Sequence, residues 1–243
     1  MNKLLLLTCL VLTQPLSLAF AQSVDRTERG LIAVVNLYSN AKKPFKRMLY
    51  KNESNQAASF LKRKTTKAYD SVVILSDEDA TLERFLDEVN LMTSRNDIQV
   101  VDVVFDLHGQ AGNSEMGPSI SFINAKGTPV ATSLVADQLK EVSHSKLRAL
   151  YSDACHGSKH NQDWMNAGFK VVAGATRVDG NQSVDIKRFF KFWLRGKSFK
   201  EAIDHANASF RGPLMDRFIK ADSTKIIKGD DTFTITSKIE GTL

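Results

Sequence analysis

Cysteine is nearly absent from this chain. There are two in 243 residues, and one of them, Cys9, lies in a segment that reads as a removable leader. Lys3 supplies a positive start, an apolar run covers residues 4–12, and Ala19-Phe20-Ala21 fits a small-x-small cleavage pattern. Residues 1–21 are therefore expected to be a signal peptide, with the exported chain beginning at Gln22. A membrane anchor would need a longer run than one broken at Gln14-Pro15. Leu6-Leu7-Thr8-Cys9 superficially resembles a lipoprotein box, but it sits too close to Lys3 to leave a full apolar region. The exported chain keeps Cys155 alone, which excludes an intramolecular disulfide. A lone thiol in an oxidising compartment leaves three readings: intermolecular pairing, a small buried hydrophobe, or a free reactive thiol.

Other absences narrow the class. No stretch after the leader is long and apolar enough to span a bilayer, so no membrane association is expected after cleavage. The formal net charge is +6, or +5 once Lys3 leaves with the leader. The basic residues are scattered, with one small cluster at Lys62-Arg63-Lys64, and no dense stripe with interleaved aromatics argues for a nucleic-acid partner. There is no internal repeat, low-complexity tract or linker, so residues 22–243 read as one domain. No pattern fixes an oligomeric state.

What is present alternates between strand and helix. The run at 31–37 suits a strand buried on both faces, and further strands are expected at 71–75, 100–107, 147–154 and 171–175. Helical patterns fall at 55–69, from Asp79 onward with Leu82, Phe85, Leu86 and Val89 on one face, at 133–142, at 164–168, at 185–193 and at 199–210. Between Gly109 and Pro129 the pattern changes to a Gly-rich loop and a β-hairpin turning at Lys126-Gly127. The tail at 231–239 alternates, as an edge strand or a loosely held end would. Strands alternating with helices imply an α/β sandwich of three layers, a mostly parallel central sheet with helices on both faces. In such sheets ligands collect at the carboxyl ends of the strands.

Two of those strand ends carry reactive side chains. Val100 to Leu107 runs into His108-Gly109, and Leu147 to Ala154 runs into Cys155-His156-Gly157. The 47-residue spacing leaves room for a crossover between neighbouring parallel strands. A thiol and an imidazole so placed are what a Cys–His nucleophilic dyad requires. The main-chain N–H groups of Gly109 and Cys155 are the natural oxyanion donors, and glycine lets a substrate carbonyl approach closely. Of the five histidines, His156 follows Cys155 directly and its side chain would diverge. His160 would need the chain to turn back, and His144 and His205 fall in surface or helical segments, whereas His108 ends a core strand. A zinc site from Cys155, His156 and His160, with Asp163, is the competing arrangement. No metal or other cofactor is expected if the dyad reading holds.

The strand-His-Gly block followed by a strand-Asp-Ala-Cys block resembles the caspase-like cysteine peptidases of clan CD, which include caspases, metacaspases, legumain, gingipains, clostripain and the CHAT peptidases. The resemblance runs from about Leu31 to Phe210. Ala173-Gly174-Ala175-Thr176, Gly196-Lys197-Ser198 and Glu201-Ala202 place it nearest the metacaspase and CHAT branches. It implies a caspase-like fold, His108 and Cys155 as the dyad, and Gly109 as an oxyanion donor. Asp153, two residues before the thiol, matches the metacaspase specificity aspartate. It implies peptide or protein substrates cut after Arg or Lys, through a charge-assisted pair. Asp106, Asp179 and Asp185 are secondary pocket candidates. Cys155-His156-Gly157-Ser158 departs from the usual metacaspase Cys-His-Ser-Gly, so the match is to the clan rather than to one member, and calcium dependence does not carry over. The expectation is an exported cysteine endopeptidase. The alternative is a non-catalytic binding or scaffold protein on the same fold.

Overall fold

The computed structural model describes residues 23–38, 41, 43–113, 116–124, 128–180, 182–208 and 221–239. The expected leader at 1–21 and the hairpin turn at Lys126-Gly127 lie outside them.

The apolar runs form the centre. Strands β1 (Arg29–Asn36), β2 (Ser71–Ser76) and β3 (Val100–Leu107) come first, and all eight residues of β1 and of β3 are buried. Three two-residue strands follow, β4 (Gly109–Gln110), β5 (Ser119–Ile120) and β6 (Val130–Ala131). Then come β7 (Leu147–Ser152), β8 (Val171–Ala175) and β9 (Lys225–Gly229). The main sheet has the order β2-β1-β3-β7-β8-β9. Its pairings are parallel except for β9, which runs antiparallel along β8.

Helices α1 (Pro44–Thr65), α5 (Gln182–Trp193) and α6 (Phe199–Asn207) cover one face, packing Ala57, Leu61, Phe189, Phe190, Trp193 and Ile203 on Leu31, Val104 and Tyr151. Helices α2 (Leu82–Thr93), α3 (Thr132–Val142) and α4 (Gly157–Asn166) cover the other with Phe85, Val89, Leu139 and Trp164. Helix starts carry local signals. Thr81 Oγ1 accepts from Arg84 N–H ahead of α2, and Ser198 with Glu201 closes a capping box on α6. No helix of the described residues is long and apolar enough to cross a membrane.

Several boundaries differ from the sequence expectation. Helix α1 starts eleven residues before Asn55 and stops short of Tyr69, whose hydroxyl instead donates to buried Asp102. Helix α4 begins at Gly157 rather than near Trp164. The expected hairpin exists as β5 and β6, joined by β4 into a second three-stranded sheet. The tail at 231–239 forms turns and a single bridge, Ser237 to Ser23, while the edge strand is β9, just before it.

Candidate active site

The site is set by strand register. β3 and β7 are neighbours, and the last paired residues are Phe105 and Ser152. Asp153 N–H continues the ladder to Phe105 O at 2.8 Å. Three residues beyond that pair stand His108 on one chain and Cys155 on the other, level at the carboxyl edge of the sheet. Their main chains stay close past the strand ends. A methyl placed on Gly109 would lie 2.4 Å from the Cys155 carbonyl oxygen and 2.9 Å from the Ala154 Cβ. Glycine at 109 is therefore needed for the two segments to touch.

After Cys155 the chain reverses sharply. His156 takes the left-handed conformation (φ 57°, ψ 22°) and α4 starts at the next residue. A non-glycine residue there costs about 1–3 kcal/mol, and its surroundings must hold it. Two contacts do so. His156 N–H donates to Arg177 O at 2.6 Å, and the Gly157 main chain rests on Gly174 of β8 so closely that a Cβ on residue 174 would come 2.3 Å from the Gly157 carbonyl carbon. The thiol is thus displayed on a strand–turn–helix corner beside the positive end of α4.

His108 is fixed from the other side. Its Nε2 meets the Leu37 carbonyl just past β1, and Leu37 N–H donates to Ser54 Oγ of α1 at 3.1 Å. The Tyr50 ring stands edge-on to the imidazole, with centroids 5.4 Å apart. A carbonyl partner requires the proton on Nε2, which leaves Nδ1 as the acceptor in the neutral ring. Burial lowers the imidazole pKa, against the Leu37 carbonyl, which raises it. Burial pushes the Cys155 thiol up, while the Asp179 N–H directed at Sγ at 3.4 Å pulls it down. At rest the two groups are a thiol and a neutral imidazole.

The acidic candidates gather on the α1 and α5 side of the sheet, around a cation the sequence did not single out. Lys225, first residue of β9, places its ammonium 2.9 Å from Asp153 and 3.4 Å from Asp185, and also pairs with Asp179. All four side chains are buried. Burial would lower the ammonium pKa, but the three carboxylates reverse that and keep Lys225 charged. Asp106 is fully buried close by, with no hydrogen-bond partner among the described residues. Burial first, then the nearby Glu53 and Asp179 charges, holds its carboxyl well above the usual range, so it keeps its proton.

The remaining histidines disperse. His160 of α4 is buried and turns Nε2 to the Gln110 carbonyl at 2.9 Å, bracing β4 beside Gly109. Asp163 is taken by Thr132, His144 faces Asn90, and His205 stacks on Phe192. The zinc arrangement of Cys155, His156, His160 and Asp163 is not assembled: among the described residues no group of three or more His, Cys, Asp or Glu side chains is placed to hold a metal ion. Sequence reasoning missed the Leu37 carbonyl, which has no side-chain signature, and Lys225, one of 33 basic residues.

No protein-family model matches the chain, and no curated protein sequence matches it. Solved structures do. The Drosophila initiator caspase Dronc superposes with a TM-score of 0.54 at 10% identity, over 89% of this chain and 84% of that one. The Arg-specific cysteine proteinase gingipain R (RGPB) superposes with a TM-score of 0.51 at 12% identity, over 88% of this chain and 49% of that one. The chain thus spans about half the length of the gingipain chain. At such identities the likeness speaks to architecture alone, and on architecture it is plain: a mainly parallel six-stranded sheet between two helical layers, the caspase-like fold.

Proposed function

We propose that this chain is a cysteine endopeptidase working through Cys155 and His108. The observation that carries the proposal is the convergence of the two strand ends, with Gly109 against the Cys155 main chain. As Cys155 Sγ attacks the scissile carbonyl, His108 Nδ1 takes the thiol proton. The Gly109 and Cys155 N–H groups receive the developing oxyanion. The imidazolium then gives its proton to the leaving amine as the C–N bond breaks, and a thioester remains. Water, deprotonated by His108, attacks the thioester. Its collapse releases the acid, and the proton returns to sulfur.

Asp153, two residues ahead of the thiol, supports kinship with the metacaspase and CHAT branches of clan CD. The preference for Arg or Lys that this kinship implies would fall on the Asp153, Asp179 and Asp185 cluster, which here holds one cation, Lys225. The leader at 1–21 supports export to a periplasmic or extracellular space, with the peptidase proper over 22–243.

The test uses a fluorogenic peptide mixture covering all side chains on the acyl side of the cut. Cys155→Ala and His108→Ala should each lose about 10³-fold or more in kcat/KM, with unchanged circular dichroism. Turnover equal to that of the unaltered protein in Cys155→Ala would refute the proposal. The filled acidic cluster favours a second reading, a binding protein on this fold with an idle thiol. Failure of an electrophilic peptide probe to label Cys155 in the reduced protein, with no peptide cut, would select it.

A further inference from the structure

The cluster beside the thiol already holds its cation. Lys225 enters it from within the sheet, where it pairs in register with Ala175 and its strand is anchored by Asn207, which accepts from Lys225 N–H at 2.8 Å and donates to its carbonyl at 3.1 Å. The ammonium also lies 5.7 Å from the Tyr151 ring. Asp153 and Lys225 have fully buried side chains, as has Asp179, and that of Asp185 is 5% exposed. No carboxylate of the group is presented to an incoming guanidinium. The cluster nevertheless adjoins the nucleophile, because Asp179 N–H points at Cys155 Sγ.

Resting on the peptidase reading, we propose that Lys225 is the specificity-determining residue of this site: it satisfies the acidic cluster internally, so the unaltered protein cuts after uncharged side chains and rejects Arg and Lys. A second cation brought into this group would meet the Lys225 charge at short range in a poorly solvated space. Like charges there repel far more strongly than in water. The same carboxylates without the lysine would form a site for a basic side chain. Residue 225 therefore decides the sign of what the cluster accepts, and the aspartate two residues before the thiol does not decide it alone.

The test compares two peptides identical except for lysine or norleucine on the acyl side of the cut, since norleucine keeps the apolar stem and lacks the charge. The unaltered protein should favour norleucine at least tenfold in kcat/KM, and Lys225→Met should reverse the order. Preference for lysine in the unaltered protein overturns the proposal. Lys225→Met strands buried carboxylates, so Lys225→Met/Asp185→Asn provides a variant with less excess charge. A binding measurement independent of turnover uses agmatine, an arginine side-chain mimic, followed by thermal shift. Agmatine should raise the melting temperature of either variant, with an affinity at least tenfold above any shown by the unaltered protein. Equal binding to all three overturns the proposal. Loss of peptide cleavage in every form, together with agmatine binding confined to the variants, would sink the peptidase reading and leave the cation-site assignment standing.

Discussion

A half-buried thiol and a half-buried imidazole answer to pH in opposite directions. Desolvation raises the pKa of Cys155 and lowers that of His108, because in each case it disfavours the charged form. At neutral pH neither group is ionised, so no imidazolium is available to stabilise a thiolate before substrate arrives. Alkylation by iodoacetamide reports the thiolate fraction. Its rate should therefore climb roughly tenfold per pH unit from about pH 6 to pH 8, without a shoulder. A level rate across about pH 5 to 8, the mark of a preformed thiolate–imidazolium pair, would contradict this account of the dyad. At this scale the candidate pair was legible. His108 and Cys155 stand out because each follows a strand-like, mainly apolar segment at a glycine-bearing turn. Lys225 does not stand out: a lysine in a short stretch with mixed polarity reads as solvated, and only the fold brings it to Asp153 across 72 residues of chain.

The thiol's display depends on how closely α4 approaches β8. Gly157 and Gly174 meet main chain to main chain, and neither a methyl at 174 nor one at 157 has a flexible neighbour to displace. Gly174→Ala should cost about 1–3 kcal/mol as forced overpacking. It should also disturb the left-handed turn at His156, and with it the peptide turnover proposed for Cys155. Gly117→Ala serves as the control. No atom of the described residues lies within 4 Å of where its methyl would sit, and its effect on denaturant stability should stay within about 0.5 kcal/mol. Equal stability of the two variants would show that the close contact is dispensable. The elements themselves were legible where burial on both faces wrote a mainly apolar stretch, as in β1, β3 and β7. Helix α4 was hidden because Gly157-Ser158-Lys159-His160 has the composition of a loop. Packing of Trp164 and buried His160 makes it helical, not intrinsic propensity. The first turns of α1 were hidden for the reverse reason. Phe45, Met48 and Leu49 are apolar yet exposed, so they signal no buried face.

Across the whole molecule, the register that aligns the two strand ends is set at the far edge of the sheet. Val101 pairs with Leu147, but Val103 pairs with Leu150, so β7 carries one extra residue opposite Asp102. Without that bulge the residue level with His108 would be Ala154, and the thiol would sit one residue too far along. Asp102 holds the irregularity in place. One of its oxygens accepts from Ala149 N–H at 3.2 Å, and the carboxylate pairs with Arg148 at 2.6 Å and 2.9 Å. Arg148 in turn donates to the carbonyls of Ile235 and Ser237, and Tyr69 links Asp102 to Trp193. One buried ion pair thus joins β3, β7, α5 and the C-terminal segment. Arg148→Met strands the Asp102 charge and should cost about 3–5 kcal/mol in denaturant unfolding. In Asp102→Leu/Arg148→Met both charges are gone, and much of that loss should return. If the pair fixes the bulge, the double variant regains stability yet its peptide turnover falls to that of His108→Ala, with the imidazole no longer level with the sulfur. Recovery of stability together with full turnover would mean that the β7 backbone keeps its extra residue unaided, and that the ion pair serves only to tie down the C-terminal segment.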